Sequence, residues 1–183
     1  AAKGSERGST QFNGLSLSLS HPKIVYAAIG NASNDGRIAG GTSIIYRSSD
    51  LAEHWQGVWE GSDLGAVYSL AVATNDPDEV YAGSNTGIFR STNGGETWSS
   101  VWSNQQMRGG KIYSISTAPV DSALFLAAHT EIGILRSDDG GLTWSQSNNG
   151  IEDTRIHEVI ISPSNNQITY AATHSGVFRS DDA

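Results

Sequence analysis

The chain has 183 residues, of which 37% are hydrophobic and 16% charged, with 21 glycines and no cysteine. A net charge of −8 opposes a nucleic-acid or anionic-lipid surface, which needs positive charge to meet phosphates. The missing cysteine excludes disulfides, thiolate metal sites and a thiol nucleophile, and no apolar run approaches the roughly 20 residues of a membrane helix. The polar first ten residues do not resemble a signal peptide, and a start at Ala1 fits a mature or trimmed chain.

In chain order, an alternating run at 15–22 ("LSLSLSHP") is followed by a small-residue strand at 24–30 ("IVYAAIG"). A long polar stretch at 31–42 comes next. It carries Asn34, Asp35 and Arg37 and is the first expected recognition loop, because long loops on a rigid scaffold commonly carry binding. A third strand and a turn follow in "IIYRSSDLAEHW" (44–55), and a fourth strand starts at Trp55. The same order returns as "VYSLAVAT" (67–74), "EVYAGS" (79–84) and "GIFRSTNGGETW" (87–98), and then as "IYSISTAP" (112–119), "LFLAAH" (124–129) and "GILRSDDGGLTW" (133–144). It returns once more as "HEVIISPS" (157–164), "ITYAATH" (168–174) and "GVFRSDDA" (176–183). Arg47, Arg90, Arg136 and Arg179 mark the phase, spaced 43, 46 and 43 residues apart.

Four short strands per period of this length match one blade of a β-propeller. No window holds a sustained helical period with caps, so helices should be few. The fold expected is all-β: about four four-stranded antiparallel blades at about 14–60, 66–104, 111–148 and 156–183, forming a propeller or a piece of a larger ring. The last period stops after its third strand. Residues 9–13 resemble the tail of a fourth strand and are a candidate to complete it from the other end of the chain. A continuation past residue 183, or two copies making an eight-bladed ring, would serve equally. The expectation is a fragment or a partial ring.

The turn before each tryptophan has its own chemistry. Gly140 and Gly141 can adopt positive φ, the acids can accept nearby backbone N–H groups, and Trp144 offers a large apolar plate. Ser137, Asp139, Gly141, Thr143 and Trp144 fit S-x-D-x-G-x-T-W throughout. Ser91, Gly95, Thr97 and Trp98 fit with Asn93 in place of the acid. Ser48, Asp50 and Trp55 fit while Ala52 and His54 depart, and Ser180 and Asp182 begin a fourth copy. This motif resembles the Asp-box, or BNR, repeat of sialidases, xyloglucan-active glycoside hydrolases, sortilin-type receptor domains and photosystem II assembly factors. The resemblance implies a β-propeller in which the box is a folding staple away from the active face, and an extracytoplasmic location. Calcium binding by the box is the rival reading, but the loop offers too few carboxylates for a shell of six to eight oxygens. No metal or other cofactor is expected.

Chemistry is sparse elsewhere. The resemblance implies an Arg-Ile-Pro motif and a three-arginine grip for a sialidase; the nearest tripeptide is Arg47-Ser48-Ser49, and the four periodic arginines take a structural role before a catalytic one. A polysaccharide hydrolase needs two carboxylates across a cleft, and Asp35, Asp63, Glu131, Glu152 and Asp153 lie on the appropriate loops without one being singled out. No His pair has metal-ligand spacing. His129 and His174 occupy equivalent places after second strands and are expected to line one rim with Arg155 and Arg108 nearby. The candidate binding face is therefore Asn34, Asp35, Arg37, Asp63, Arg108, His129, Glu131, Arg155 and His174. Trp59 and Trp102 are expected to cover blade edges. The function expected is a non-catalytic module that binds a protein or carbohydrate. Part of a xyloglucanase-like hydrolase is the alternative, and a structural subunit that self-associates through an open blade edge is a second.

Overall fold

The computed structural model describes residues 10–31, 42–103, 110–119 and 121–182. Fifteen strands and no helix occur among them. The first sheet holds β1 (Thr10–Leu17), β2 (Val25–Asn31), β3 (Ser43–Ser48) and β4 (Gln56–Gly61). The second holds β5 (Val67–Val72), β6 (Val80–Ser84), β7 (Gly87–Ser91) and β8 (Ser99–Ser103). The third holds β9 (Ile112–Thr117), β10 (Phe125–His129), β11 (Gly133–Ser137) and β12 (Ser145–Gln146). The fourth holds β13 (Ile156–Ser162), β14 (Asn165–Thr173) and β15 (Gly176–Ser180). Every strand pairs antiparallel with its sequence neighbour, so each sheet is a meander and the molecule is an arc of β-propeller blades.

The first strands pack on one another in series, β1 on β5, β5 on β9 and β9 on β13, and line the inner side of the arc. The second strands are small-residue runs buried on both faces: β6 and β10 are buried throughout. Alanine at Ala82, Ala127 and Ala128 lets the neighbouring sheets approach closely. Three apolar clusters fill the three junctions. Tyr26, Ile45, Leu70 and Val80 sit in the first, Tyr81, Ile88, Ile112 and Phe125 in the second, and Leu126, Ile134, Val159 and Ile161 in the third. Each such fully buried aliphatic side chain contributes about 1.5–3 kcal/mol. All of it arises between blades, so no blade is stable alone. Half-buried Trp59 and Trp102 pack against the first and second clusters.

Residues 10–13 are not the tail of a fourth strand. They run unbroken into β1 and pair with β2, Thr10 opposite Asn31 and Leu17 opposite Val25, with a bulge between Phe12 and Gly14. The reason is a close crossing. A Cβ on Gly14 would lie 3.1 Å from the Leu70 backbone nitrogen, and Asn13 Nδ2 donates to the Val67 carbonyl at 3.2 Å. The glycine thus serves a tight approach to β5 rather than a turn. The turn comes later, at 18–24, where the Ser18 N–H donates to the Ile24 carbonyl at 3.0 Å. β15 has no fourth-strand neighbour among the described residues.

Candidate functional site

Antiparallel pairing puts the tryptophan corners at one end of the blades. In the third blade the Ser137 hydroxyl donates to Asp139 Oδ1 at 2.7 Å and accepts the Gly141 N–H at 2.8 Å. The same carboxylate oxygen accepts the Leu142 and Thr143 N–H groups at 3.0 and 2.9 Å, and Oδ2 accepts the Thr143 hydroxyl at 2.6 Å. Trp144 Nε1 then donates to the Gly141 carbonyl at 3.0 Å, which lays the indole against the second apolar cluster. The second blade repeats the scheme with Asn93, whose Oδ1 accepts the Thr97 N–H at 3.0 Å. The fourth blade starts it, the Ser180 hydroxyl donating to Asp182.

These acids are committed to their turns. Hydrogen bonds from the Thr143 hydroxyl and N–H, then from Ser137, hold the Asp139 carboxyl down at about 2. Bonds from the His54 N–H and ring, then from Ser48, do the same for Asp50. Among the described residues, Asp50, Glu53 and His54 are the one group able to present three metal-ligating atoms within 4.8 Å of one another. There Asp50 Oδ1 already accepts from Ser48 and the His54 N–H, and Oδ2 meets His54 Nδ1 at 2.7 Å. The corner end is occupied by its own hydrogen bonds.

The opposite end carries the inter-blade loops and four of the proposed binding residues. Glu131 lies in the β10–β11 turn, and its carbonyl accepts the Thr154 hydroxyl at 3.0 Å. Arg155 Nε binds Asp153 Oδ1 at 3.0 Å, and the His174 N–H donates to the Arg155 carbonyl at 3.2 Å. Glu131, Arg155 and His174 therefore share the rim of the third and fourth blades. Asp153, bound by Arg155, is held at about 2. A cavity of about 480 Å³ opens there, lined by Glu152, Asp153, Arg155, Ser175 and Phe178. Asp63 is exposed in the turn after β4, on the side of the first two blades. Asn34, Asp35, Arg37 and Arg108 lie outside the described residues.

His129 sits differently from its counterpart His174. It is fully buried, and its Nδ1 accepts the Glu131 and Ile132 N–H groups at 3.1 and 3.2 Å. It caps the β10–β11 turn from inside, so the imidazole does not line the rim. A Cβ on Gly110 would fall 1.9 Å from its ring, and Trp102 contacts it edge-on at 5.7 Å. Burial outweighs the nearby Glu131 charge and pushes its pKa down, keeping the ring neutral at pH 7.

The inner wall holds a group that the sequence reading left unassigned. Tyr68, Tyr113 and His157 are the second residues of β5, β9 and β13. Tyr68 and Tyr113 meet edge to face at 5.4 Å, and Tyr113 stacks on His157 at 6.1 Å. Lys111 Nζ lies 4.9 Å from the Tyr68 ring centroid and 5.7 Å from that of Tyr113. Burial works against the ammonium, but interactions with the two tyrosines prevail and raise its pKa. The Lys111 N–H and carbonyl pair with Thr130 Oγ1 and N–H at 3.0 and 3.1 Å, which ties this row to the β10–β11 turn. The available signal was the shared slot in "VYSL", "IYSI" and "IHEV", visible only with the repeats in register.

No protein-family profile matches the chain, and no curated protein matches it by sequence. Solved structures do. The chain is similar to the Niastella koreensis GH74 enzyme, with a TM-score of 0.74 and 22% identity, over 92% of this chain and 28% of that one. It is also similar to YCF48 bound to a D1 peptide, with a TM-score of 0.64 and 14% identity, over 99% of this chain and 52% of that one. A computationally designed protein, Ika4, aligns with a TM-score of 0.59 and 13% identity over 95% of this chain and 92% of its own length. The chain thus spans about a quarter of the first relative and about half of the second. At these identities the likeness shows the propeller fold.

Proposed function

We propose that the chain is an Asp-box propeller module that works by binding, and that it engages a carbohydrate on the inner wall where Tyr68, Tyr113, His157 and Lys111 meet the rim of the third and fourth blades. The aromatic row carries this reading. Aromatic faces held by a rigid sheet give an apolar platform at little entropic cost, and a half-buried ammonium beside them supplies one fixed donor. Glu131, Arg155 and His174 offer polar contacts just above. On this reading the corners are staples, the module needs no metal or other cofactor, and its place is outside the cytoplasm. A protein segment is the other ligand class for the same wall.

Two observations support binding over catalysis. The corner acids are consumed by their turns, and at the rim Asp153 is paired to Arg155 and held at about 2, which leaves it no proton to donate near neutrality. A glycosidase needs one carboxyl that keeps its proton. The likeness to a GH74 enzyme favours a second reading, one wall of a hydrolase cleft whose other wall lies in further blades.

Affinity electrophoresis or calorimetry against xyloglucan, β-glucans, sialylated glycans and peptide arrays tests the proposal, with reducing-end release measured in parallel. Binding without release is expected, weakened at least about tenfold by Tyr113→Ala or Lys111→Ala. Release of reducing ends would establish the hydrolase instead. Binding untouched by either substitution would move the site elsewhere.

A further inference from the structure

The arc has three internal junctions and two free end faces, and the end faces repeat the chemistry of the junctions. At each junction the leading face of one blade meets the trailing face of the next. In the first two blades the leading face presents a second-strand tyrosine and a third-strand isoleucine: Tyr26 with Ile45, then Tyr81 with Ile88, all fully buried. Tyr26 donates to the Pro77 carbonyl of the next blade at 2.9 Å, and Tyr81 to that of Gly140. The trailing face presents first-strand aliphatics, Leu70 with Val72 and then Val159 with Ile161, also buried.

The fourth blade carries the same leading face, uncovered among the described residues. Tyr170 stands in register with Tyr26 and Tyr81, and Val177 with Ile45 and Ile88. Tyr170 is exposed, Val177 is 76% exposed, and Ile160 beside them is exposed too. The first blade carries the trailing face, likewise uncovered among the described residues. Leu15 and Leu17 stand in the places of Leu70 and Val72, with Leu15 74% exposed. A cavity of about 440 Å³ lined by Phe12, Leu15, Ile29, Tyr46 and Trp55 opens on that face. The first and fourth sheets share no junction among the described residues.

We infer that these two faces dock on each other between two copies of this chain, the fourth blade of each against the first blade of the other, closing a ring of eight blades. The junction is the one the chain already makes three times. Its two sides differ, so it is head-to-tail, and such contacts close into rings when the rotation permits. The number follows from the sheet count. Four sheets per chain give eight in a pair, within the usual range of about four to eight blades, whereas three copies exceed it. Charge adds nothing to this junction: Lys23 occupies the first-blade place of Asp78, the cross-blade partner of Arg47, so that ion pair has no counterpart there, and Arg179 is paired within its own blade to Asp181.

Sedimentation of the 183-residue chain from about 1 to 100 µM tests this, with two variants whose altered residues are exposed in the single copy: Leu15→Glu with Leu17→Glu, and Ile160→Glu with Val177→Glu. The parent chain should reach twice its 19.4 kDa mass and grow no further. Each variant should bind at least about 100-fold more weakly with an unchanged near-ultraviolet spectrum. A parent chain that stays single at 100 µM overturns the inference. A pair that survives either variant means like faces meet like. Mass rising beyond two copies means the contact does not close.

Discussion

The corner of the third blade and the corner of the first make one hydrogen-bond scheme from different residues. In both, a serine hydroxyl bridges an aspartate and an N–H four residues on, at 2.8 Å for Gly141 and 2.9 Å for Ala52. In both, the aspartate accepts a second N–H four residues further, from Thr143 or His54. The third blade supplies glycine where φ is positive, at Gly140 and Gly141, whereas the first puts Leu51 and Ala52 there at 64° and 68°. Serine and the acid therefore set the turn, while glycine only lowers its cost. The corners also differ in what their tryptophans reach. Trp144 lies edge-on to Phe125 at 6.3 Å within the second apolar cluster, whereas Trp55 lines an open cavity on a face with no neighbouring sheet among the described residues.

The sharpest break in this comparison is to remove each indole in turn. Trp144→Ala should destabilise by about 3 kcal/mol, the low end for a large aromatic because the ring is only half-buried. Trp55→Ala should cost about 1 kcal/mol in a single copy. Urea unfolding of the two variants reads the difference, and equal losses would mean that the corners do the same packing work. If two copies dock as inferred, the Trp55 loss grows at high protein concentration while the Trp144 loss stays constant.

Next in size is the serine. Ser137 is buried, and Ser137→Ala strands the buried Gly141 N–H, which should cost about 1–3 kcal/mol. Ser48→Ala should cost less, because Ala52 is exposed and water can take over its N–H. An equal loss at Ser48 would mean that the serine bond is worth as much in an open corner as in a buried one. Smaller again, and of opposite sign, is repair of the first corner. Leu51→Gly with Ala52→Gly relieves two left-handed residues at roughly 1–2 kcal/mol each but adds freedom to the unfolded chain, so a net gain of about 1 kcal/mol is expected. A loss would show that the strain is relieved locally already.

These contrasts mark what the sequence made legible. The corners were readable because serine, acid, glycine and tryptophan each have one role at fixed spacing, and the 43- and 46-residue periods place the strands between them. Residues 10–13 misled because "QFNG" and "QSNNG" look alike while their glycines differ. Gly150 has a φ of 79° with open space around it, whereas Gly14 is pressed against β5. Only the crossing of two strands separates a turn from a bulge there. The equivalent histidines misled for a similar reason. His129 lies in a fully buried strand and is edge-on to Trp102, and His174, one repeat on, sits exposed in the turn of an end blade. Burial is a property of the neighbouring sheet, which the local sequence does not carry. The aromatic row needed the same knowledge, since Tyr68, Tyr113 and His157 meet only once three blades are side by side.

The smallest expected effect separates charge from shape. Asp139 has its carboxyl lowered from 3.8 to about 2, so the unfolded chain binds its proton more readily. Its stabilising contribution is fully present above about pH 4 and is lost as pH falls towards 2. The second blade shows how the same turn is made without a titrating group. Asn93 Oδ1 accepts the Ser91 hydroxyl and the Thr97 N–H, and its Nδ2 donates to Thr97 Oγ1 at 3.0 Å, whereas Thr143 Oγ1 donates to Asp139. The differences are a rotated threonine hydroxyl and the Leu142 N–H bond to Asp139, which has no counterpart at Asn93. Asp139→Asn should therefore shift Tm at pH 7 by no more than about 2 °C and reduce the fall in Tm between pH 4 and pH 2. A large loss at neutral pH would mean that the carboxylate charge, rather than its geometry, holds the third corner.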